Sequence, residues 1–208
     1  MLEHPNTQYA GLDECGRGCL FGPVVAAAVV LPATFPDDTY QQIKDSKKLT
    51  EKKRNLLATY IKQHAQAYSI IEISHQEIDR INILQASLKA MHKALNQIYP
   101  HFQTIMVDGN HFKPYLPPGE NAEECIPYQT IEQGDNKILG IAAASIIAKT
   151  YRDNLIIEQC NQNELLNRYD LKNNKGYGTP KHLQALKEFG PMEGHRMSFG
   201  PVKNAVSD

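Results

Sequence analysis

An apolar run directly after an acidic, glycine-rich segment places the strongest constraint on the fold. Residues 24–31 read VVAAAVVL, which predicts a strand covered on both faces of a sheet. The preceding segment, GLDECGRG at residues 11–18, contains glycines that permit a tight turn close to a ligand. Successive side chains of a strand alternate between faces, so Asp13 and Glu14 can share one site only where a strand ends. We therefore predict strands at 9–13 and 24–31, joined by a loop that carries two carboxylates.

Residues 11–18 taken alone are compatible with two other structures. A solvated hairpin would use Asp13 and Glu14 in its turn and Arg17 as their counterion, and this alternative stays open. A Rossmann phosphate loop is disfavoured, because the glycines are spaced G-x-G-x-x-x-G and a strand-like run follows where that motif requires a helix.

Length and cysteine usage limit the class of protein. With 208 residues, of which 41% are hydrophobic, the chain can bury a full core in one domain. No signal peptide is visible, and the longest apolar run is too short to cross a bilayer. The cysteines at 15, 19, 125 and 160 form no C-x-x-C pair, which argues against a zinc site or a redox motif. We therefore expect a cytoplasmic protein with free thiols.

Charge is unevenly distributed, although the net charge is only −1. Residues 43–54 contain six Lys or Arg and two acidic side chains, as do residues 172–203, so each segment carries +4. Residues 119–135 contain five acidic side chains and no Lys or Arg. The net charge argues against a protein that coats nucleic acid non-specifically, whereas basic patches around an acidic centre suit a polyanion bound at a metal site.

Periodicity and turn signals predict the remaining elements. Helices are predicted after an N-cap at Thr50, over residues 81–98 and 138–160, and between Thr179, Pro180 and Gly190. Further strands are predicted at residues 68–73, 104–109 and 128–132, with a loop at 111–125.

Three segments place an acid beside a glycine or at a strand end, and these acids define the predicted site. The segments are Asp13-Glu14, Asp108-Gly109 and Gly134-Asp135. A strand that ends on a carboxylate holds the side chain rigidly while the turn exposes it. Four carboxylates meeting at one end of a sheet repel unless cations lie among them, and hard oxygen ligands suit Mg²⁺ or Mn²⁺. The residues therefore favour a two-metal phosphodiester hydrolase.

Seven motifs resemble, in the same order, those of the type 2 ribonucleases H (ribonuclease HII). They are D-E-C-G-R-G at 13–18, D-S-K-K-L at 45–49, D-G-N at 108–110, G-D at 134–135, A-A-S-I-I-A-K at 143–149, K-G-Y at 175–177 and H-R-M-S-F at 195–199. The resemblance covers nearly the whole chain. It implies an α/β, RNase H-like fold with a mixed five-stranded sheet flanked by helices. It also implies one catalytic domain, 1–208, in which residues from about 161 to 208 form a helical C-terminal extension.

The same resemblance implies a reaction and a set of site residues. The family cleaves RNA paired with DNA, including single ribonucleotides embedded in duplex DNA, and leaves 3′-hydroxyl and 5′-phosphate ends. The implied catalytic metal ligands are Asp13, Glu14, Asp108 and Asp135, and we hypothesise that Asp13 bridges two Mg²⁺ or Mn²⁺ ions. The implied sensors of the RNA sugar, which differs from DNA in its 2′-hydroxyl, are Gly16, Arg17, Gly18 and Tyr177. The implied phosphate contacts are Lys47, Lys48, Ser145, Lys149 and Arg196.

Other polar residues near these motifs are given structural roles. Asp153 is predicted to form an ion pair with its neighbour Arg152 rather than to bind metal. His182 and His195 are predicted chiefly as surface or capping groups rather than proton shuttles. Cys15 is predicted to contribute packing.

Three features depart from the family pattern. Gln133 stands where a lysine often precedes G-D, and Asn174 stands where a histidine often precedes K-G-Y. The segment 111–133 is longer than in many members. We expect these changes to alter phosphate affinity, pH response or the local geometry near Asp135.

Two rival functions stay open at this point. A type 3 ribonuclease H or a junction resolvase would share the fold, although type 3 members carry an extra N-terminal domain and twelve residues precede Asp13 here. A non-catalytic nucleic-acid-binding module has no use for four acids that weaken polyanion binding. The expected partner is RNA–DNA hybrid or ribonucleotide-containing duplex DNA, bound by a monomer without membrane association.

Overall fold

A mixed five-stranded sheet forms the centre of the computed structural model, which describes residues 2–5, 8–119 and 124–205. The strands are β1 Tyr9–Cys15, β2 Val24–Val30, β3 Ala67–Ile73, β4 Thr104–Asp108 and β5 Tyr128–Ile131. Their order in the sheet is β3-β2-β1-β4-β5. Strand β2 is antiparallel to both β1 and β3, whereas β4 is parallel to β1 and β5 is parallel to β4. The predicted mixed five-stranded α/β fold is confirmed.

Helices cover both faces of this sheet. They are α1 Glu51–His64, α2 His75–Ile81, α3 Ile83–Ile98, α4 Leu139–Gln162, α5 Leu171–Asn174, α6 Pro180–Phe189 and α7 Gly200–Asn204. Short 3₁₀ turns occur at Asp38–Gln42, Ser46–Lys48, Gly134–Asn136 and Glu164–Tyr169. Across the described ranges, none of the helices combines the length and the apolar character that a bilayer span requires.

Strand β2 shows why the sheet must be covered twice. All seven of its side chains are buried. The even-numbered ones, such as Val24 and Ala26, pack in a cluster with α3, and the odd-numbered ones, such as Val25 and Ala27, pack in a cluster with α1 and α4. The alternation of a strand therefore places half of an apolar run on each face.

The helices that follow α4 pack against its C-terminal half. Ile156 and Cys160 of α4 share an apolar cluster with Leu171, Leu186 and Val202. This cluster connects α5, α6 and α7 to the helix that also covers the sheet. It lies next to Phe21, so the β1–β2 connection packs against the same region.

The helix predicted over residues 81–98 corresponds to α3, which begins two residues later than predicted, and the separate helix α2 was not predicted. Helix α2 ends at Ile81 and α3 begins at Ile83, because Asn82 takes a backbone φ of 66°. The Asn82 side chain then accepts a hydrogen bond from the Gln85 N–H at 3.1 Å and caps α3. Asparagine tolerates this left-handed conformation and is a favoured N-cap, so one residue can both end and begin a helix.

The segment after β4 packs on the core for part of its length. Phe112 and Tyr115 are buried, and the Tyr115 hydroxyl donates to Asn96 Oδ1 at 2.9 Å. Tyr115 also forms an antiparallel bridge with Ile126. Residues 120–123, which belong to the long segment noted in the sequence, lie outside the described residues.

Candidate active site

The ends of two neighbouring strands bring the predicted carboxylates together. Strands β1 and β4 are parallel, with Leu12 opposite Val107, so Asp13 and Asp108 follow at the same edge of the sheet. Asp13 is buried, and the Glu14 side chain is 13% exposed. The backbone N–H of Gly134 donates to Asp108 Oδ1 at 2.7 Å, which holds the turn containing Asp135 beside Asp108.

Protein donors occupy each carboxylate. Asp13 Oδ1 accepts from the Glu14 N–H at 2.7 Å, and Glu14 Oε1 forms an ion pair with Arg17 Nη1 at 3.0 Å. Asp135 Oδ1 accepts from the Asn136 side chain at 3.0 Å. In each of these bonds a carboxylate oxygen is paired with a donor of the protein itself. In the part of the chain that the structure describes, no three Asp, Glu, His or Cys side chains are arranged as a ready metal site.

The pKa values show how crowded this negative charge is. Burial, followed by the neighbouring charges of Glu14 and Asp108, raises the pKa of Asp13 well above its usual range, although the Ser145 hydroxyl and the Glu14 N–H partly lower it. Burial also raises the pKa of Glu14 against the opposing effect of Arg17. The pKa of Asp135 is raised by burial and then by Asp108. Asp13, Glu14 and Asp135 are therefore harder to ionise until a positive charge approaches.

One cavity of about 240 Å³ collects most of the predicted site residues. Its walls include Asp13, Glu14, Asp108, Gly16, Arg17, Gly18, Ser46, Lys47, Ser145, Lys149 and Tyr177. Asp135, Lys48 and Arg196 do not line it. A larger cavity, about 810 Å³ and lined by residues such as His4, Phe35 and Tyr40, contains no predicted site residue.

The lysines of the D-S-K-K-L segment lie at the margin of this cavity. Asp45 caps the 3₁₀ turn Ser46–Lys48 by accepting from the Lys47 N–H at 2.9 Å, and Lys47 is exposed. The Lys48 side chain is 60% exposed, and its ammonium contacts Asn136 Oδ1 beside Asp135. Both cations therefore remain accessible to a polyanion.

Ser145 faces the acids from α4 and is only 6% exposed. Its hydroxyl is hydrogen-bonded to Ser46 Oγ at 2.9 Å and lies near Asp13. The structure therefore places this predicted phosphate contact between the D-S-K-K-L segment and an acid, where it steadies both.

Arg196 differs most from the role expected for it. We predicted a phosphate contact, but the side chain is fully buried behind the loop of residues 16–18. Its Nε donates to the Gly22 carbonyl and its Nη1 to the Arg17 carbonyl, both at 2.9 Å. Burial lowers its pKa to about 10. A buried guanidinium that binds two carbonyls supports the loop and does not reach a phosphate.

Arg152 is a site residue that sequence reasoning missed. It is fully buried on α4, and its three nitrogens donate to the carbonyls of Pro23, Lys175 and Phe21 at 2.9, 2.7 and 2.8 Å. It thus joins the end of the β1–β2 loop to the K-G-Y turn. Arg152 follows Ser145 by seven residues and Lys149 by three, so the three side chains lie on one face of α4. This spacing is the sequence pattern that could have indicated a role for Arg152 at the site.

Asp153 pairs with different cations from the one predicted. Its carboxylate binds Arg54 of α1 and Lys149, at 2.9 and 2.7 Å, while Arg152 turns to backbone carbonyls. The expected ion pair exists, but its partner is wrong. A helix places residues four apart on one face and adjacent residues on different ones, which explains the choice of Lys149.

The two histidines form a buried pair beneath Tyr177. His182 Nε2 and His195 Nε2 are 3.1 Å apart, and His182 Nδ1 lies 3.0 Å from the Tyr177 carbonyl. Burial lowers the pKa of both rings, that of His195 to about 4. They are therefore neutral supports of the K-G-Y turn and not surface groups.

The departures at 133 and 174 have structural explanations. Gln133 adopts a left-handed φ of 54° just before Gly134. Asn174 is buried, donates to the Tyr169 carbonyl and accepts from the Gly176 N–H at 2.8 Å. Asn174 therefore shapes the K-G-Y turn without carrying a titratable group.

Gly16 supplies a stability prediction for this loop. Its φ is +91°, and a Cβ added there would lie 2.2 Å from Arg152 Nε. Gly16→Ala should lower the free energy of unfolding by at least about 1–3 kcal/mol, the usual range for a strained backbone. Urea denaturation will measure this change.

Gly18→Ala is the matched control, because an added Cβ there meets no atom within 4 Å. Its free energy of unfolding should stay within about 0.5 kcal/mol of the unmodified protein. Equal losses for the two variants would contradict the role given to the Gly16–Arg152 contact.

Comparison with known proteins identifies the family. A family model described as ribonuclease HII matches residues 10–202. A ribonuclease HII of Francisella tularensis subsp. tularensis (strain WY96-3418) is 46% identical over 198 residues, covering 95% of this chain and 98% of that protein. The chain belongs to the ribonuclease HII family. Ribonuclease HII enzymes are hydrolytic endoribonucleases, and this chain is therefore an enzyme of that class.

Solved structures show the same fold. The ribonuclease H2 from Pyrococcus horikoshii OT3 superimposes with a TM-score of 0.76 at 24% identity, covering 96% of this chain and 97% of that one. A Bst-RNase HIII in complex with Mn²⁺ gives a TM-score of 0.69 at 19% identity, covering 97% of this chain and 70% of that one. The fold of these two structures thus extends over nearly all of the chain.

Proposed function

We propose that this chain hydrolyses the RNA strand of RNA–DNA hybrids and cuts at single ribonucleotides embedded in duplex DNA, leaving 3′-hydroxyl and 5′-phosphate ends. Such cleavage would begin the removal of ribonucleotides from DNA. The observation that carries the proposal is the cavity in which Asp13, Glu14 and Asp108 face the loop 16–18 and Tyr177. Membership of the ribonuclease HII family supports the same reaction.

In this proposal Asp13, Glu14, Asp108 and Asp135 hold two divalent cations, Mg²⁺ or Mn²⁺. The donor set fits, because carboxylate oxygens are the ligands that these hard cations prefer. Burial, followed by the charges of neighbouring acids, raises the pKa of Asp13, Glu14 and Asp135, and bound cations would favour the ionised form of each. The cations would supply an activated water and charge stabilisation at the departing 3′ oxygen. The Mn²⁺ complex of the similarly folded RNase HIII is consistent with this donor set.

The remaining residues bind and orient the nucleic acid. The loop 16–18 lines the cavity and is supported from behind by Arg196, which donates to the Arg17 carbonyl, and by Arg152, which lies against Gly16. Backbone donors and acceptors at this position suit a 2′-hydroxyl, which both donates and accepts hydrogen bonds. Tyr177 would pack beside the sugar at the RNA–DNA junction, since its ring is 40% exposed at the cavity.

Lys47 and Lys48 provide a prediction about binding. Because both ammonium groups are exposed beside the acids, replacing both with alanine should weaken duplex binding and reduce its salt dependence by roughly one unit of slope per lost phosphate contact. Fluorescence anisotropy with a labelled hybrid, measured over a range of KCl concentrations in Ca²⁺ or EDTA, will give this slope.

The control for a general loss of positive charge replaces Lys62 and Lys93 with alanine. These two lysines lie on α1 and α3, outside the cavity. That variant should keep the slope of the unmodified protein. An unchanged slope for the Lys47 and Lys48 variant would show that these lysines do not meet the phosphate backbone.

A cleavage assay tests the proposed function. The substrates are an end-labelled RNA–DNA hybrid and a DNA duplex that contains one ribonucleotide, each incubated with and without Mg²⁺. Metal-dependent cuts at the ribonucleotide that leave 3′-hydroxyl and 5′-phosphate ends are expected. A silent binding module would retain both substrates uncut, and a junction resolvase would cut branched DNA instead.

The proposal includes the state in which the chain acts. We infer that residues 1–208 form one catalytic unit, with residues from about 161 to 208 as its helical C-terminal extension, and that it acts as a cytoplasmic monomer. The cysteines at 15, 19, 125 and 160 are free thiols, consistent with a reducing compartment. Analytical ultracentrifugation with and without duplex will test the monomeric state.

A further inference from the structure

Asp153 binds two cations at once, Lys149 of the active-site cavity and Arg54 of α1. It lies on α4 one turn after Lys149, and its side chain is only 6% exposed. Its Oδ1 accepts from Lys149 Nζ at 2.7 Å, and its Oδ2 accepts from Arg54 Nη2 at 2.9 Å. Removing this buried carboxylate would leave two cations without their shared partner.

The two cations lead to different parts of the site. Lys149 lines the active-site cavity, and its Nζ lies 5.5 Å from the centroid of the Tyr177 ring. Arg54 Nη1 lies 3.5 Å from the carbonyl of Leu49, the residue that ends the 3₁₀ turn carrying Lys47 and Lys48. Asp153 itself does not line the cavity. Any effect it has on the reaction must therefore pass through its partners.

The ion pair limits the positions that Lys149 can take. A lysine has a flexible four-carbon stem, and its ammonium has three donors. One donor is used by Asp153, which leaves two for the cavity and holds the charge over Tyr177. An ammonium over an aromatic ring is attracted to its face, so the fixed cation in turn restrains the ring.

We propose that Asp153 is a positioning residue for ribonucleotide recognition. By holding the Lys149 ammonium over Tyr177, it sets the preference for a single ribonucleotide at an RNA–DNA junction over a continuous hybrid. The inference rests on the function proposed above, in which Tyr177 packs beside the sugar at the junction. A continuous hybrid offers many phosphate contacts and depends less on one ring.

Asp153→Asn tests this role, because the amide keeps the shape of the side chain and removes its charge. The measurement is kcat/KM with Mg²⁺ on a duplex with one ribonucleotide and on a continuous hybrid. The ratio of kcat/KM on the single-ribonucleotide duplex to kcat/KM on the continuous hybrid should fall about tenfold, because kcat/KM falls on the single-ribonucleotide duplex. An unchanged ratio in a folded Asp153→Asn protein overturns the inference.

Arg54→Met is the matched control. It removes the other ion pair of the same carboxylate and loosens the same helix contact, but leaves Asp153 bound to Lys149. It should change kcat/KM on both substrates by a similar factor and keep their ratio. An equal fall in the ratio would mean that general loosening, not the position of Lys149, sets the preference, and would overturn the inference.

A double-variant cycle shows whether Asp153 acts through Lys149. Lys149→Met alone should lower the ratio about as much as Asp153→Asn, and the combined variant should lower it no further. Independent, additive losses overturn the inference. If Asp153→Asn melts below the assay temperature, Lys149→Met alone must still lower the ratio, and an unchanged ratio rejects the role.

The same assay separates this inference from the function on which it rests. If the unmodified protein cleaves neither substrate with Mg²⁺, the proposed function fails and the role of Asp153 fails with it. If it cleaves both and the ratio is insensitive to Asp153, only the positioning role is rejected.

Discussion

Replacing Asp13 with asparagine should abolish cleavage while making the metal-free protein more stable. The cleavage rate should fall at least about a thousandfold, because a lost metal ligand removes several kcal/mol of transition-state stabilisation. The gain in stability follows from the pKa of Asp13, which burial and the charges of Glu14 and Asp108 raise well above its usual range. An acid with a raised pKa in the folded state loses stability as pH rises through its unfolded and folded values. The uncharged amide removes that loss at neutral pH.

Two measurements check this result together. Single-turnover cleavage of a duplex with one ribonucleotide gives the rate with Mg²⁺, and thermal melting in EDTA and then in Mg²⁺ gives the stability. In EDTA the melting temperature of Asp13→Asn should be higher than that of the unmodified protein. Adding Mg²⁺ should raise the melting temperature of Asp13→Asn by less. Asp108→Asn should lose cleavage in the same way. Glu158→Gln, at an exposed acid on α4, should change neither quantity. Near-normal cleavage by Asp13→Asn would reject its assignment as a metal ligand.

Replacing Tyr177 with alanine should give the second largest effect, a loss of about a hundredfold in kcat/KM at a single ribonucleotide. A ring packed against a nucleotide contributes about 1–3 kcal/mol, which corresponds to losses of this size. Folding should be nearly unchanged, because the ring is 40% exposed and the K-G-Y turn is held through backbone by Arg152 and His182. The measurement is steady-state cleavage with a urea denaturation curve for each variant.

Tyr177→Phe distinguishes the ring from its hydroxyl. The hydroxyl lies near the Cys19 thiol, and the phenyl ring of the variant can still lie beneath Lys149. This variant should keep kcat/KM within about threefold of the unmodified protein, less than 1 kcal/mol. Full activity in Tyr177→Ala would show that the ring does not take part in substrate recognition. A large loss of kcat/KM in Tyr177→Phe would show that recognition depends on the hydroxyl.

The sequence predicted the structure best where a residue pattern is compatible with only one local structure. The apolar run of β2 requires a strand covered on both faces, and Thr50 and Thr179 are N-caps as predicted. The sequence predicted strands that end near Asp13 and Asp108, and the structure pairs those strands in parallel, which brings the two acids to one edge. The break at Asn82 was missed, because helical periodicity continues on either side of a single left-handed residue.

The supports of the site were harder to predict because burial of a charge is not visible in a sequence. Arg152 and Arg196 look like surface cations until the carbonyls that surround them are known. Asp153 likewise has a cation next to it in sequence and binds another from α1, 99 residues away. The roles of the four acids and of the substrate contacts stay predictions that the cleavage assays address.

The contact between Arg196 and the Arg17 carbonyl links two points 179 residues apart. A chain emerging from the ribosome can build β1, β2 and their loop early, but the guanidinium that supports this loop arrives only after residue 196 has been synthesised. We therefore expect nascent chains to acquire discrimination between RNA and DNA only after residue 196 has been synthesised and has reached this loop. Incomplete chains would expose the acids before the loop beside them is held in place.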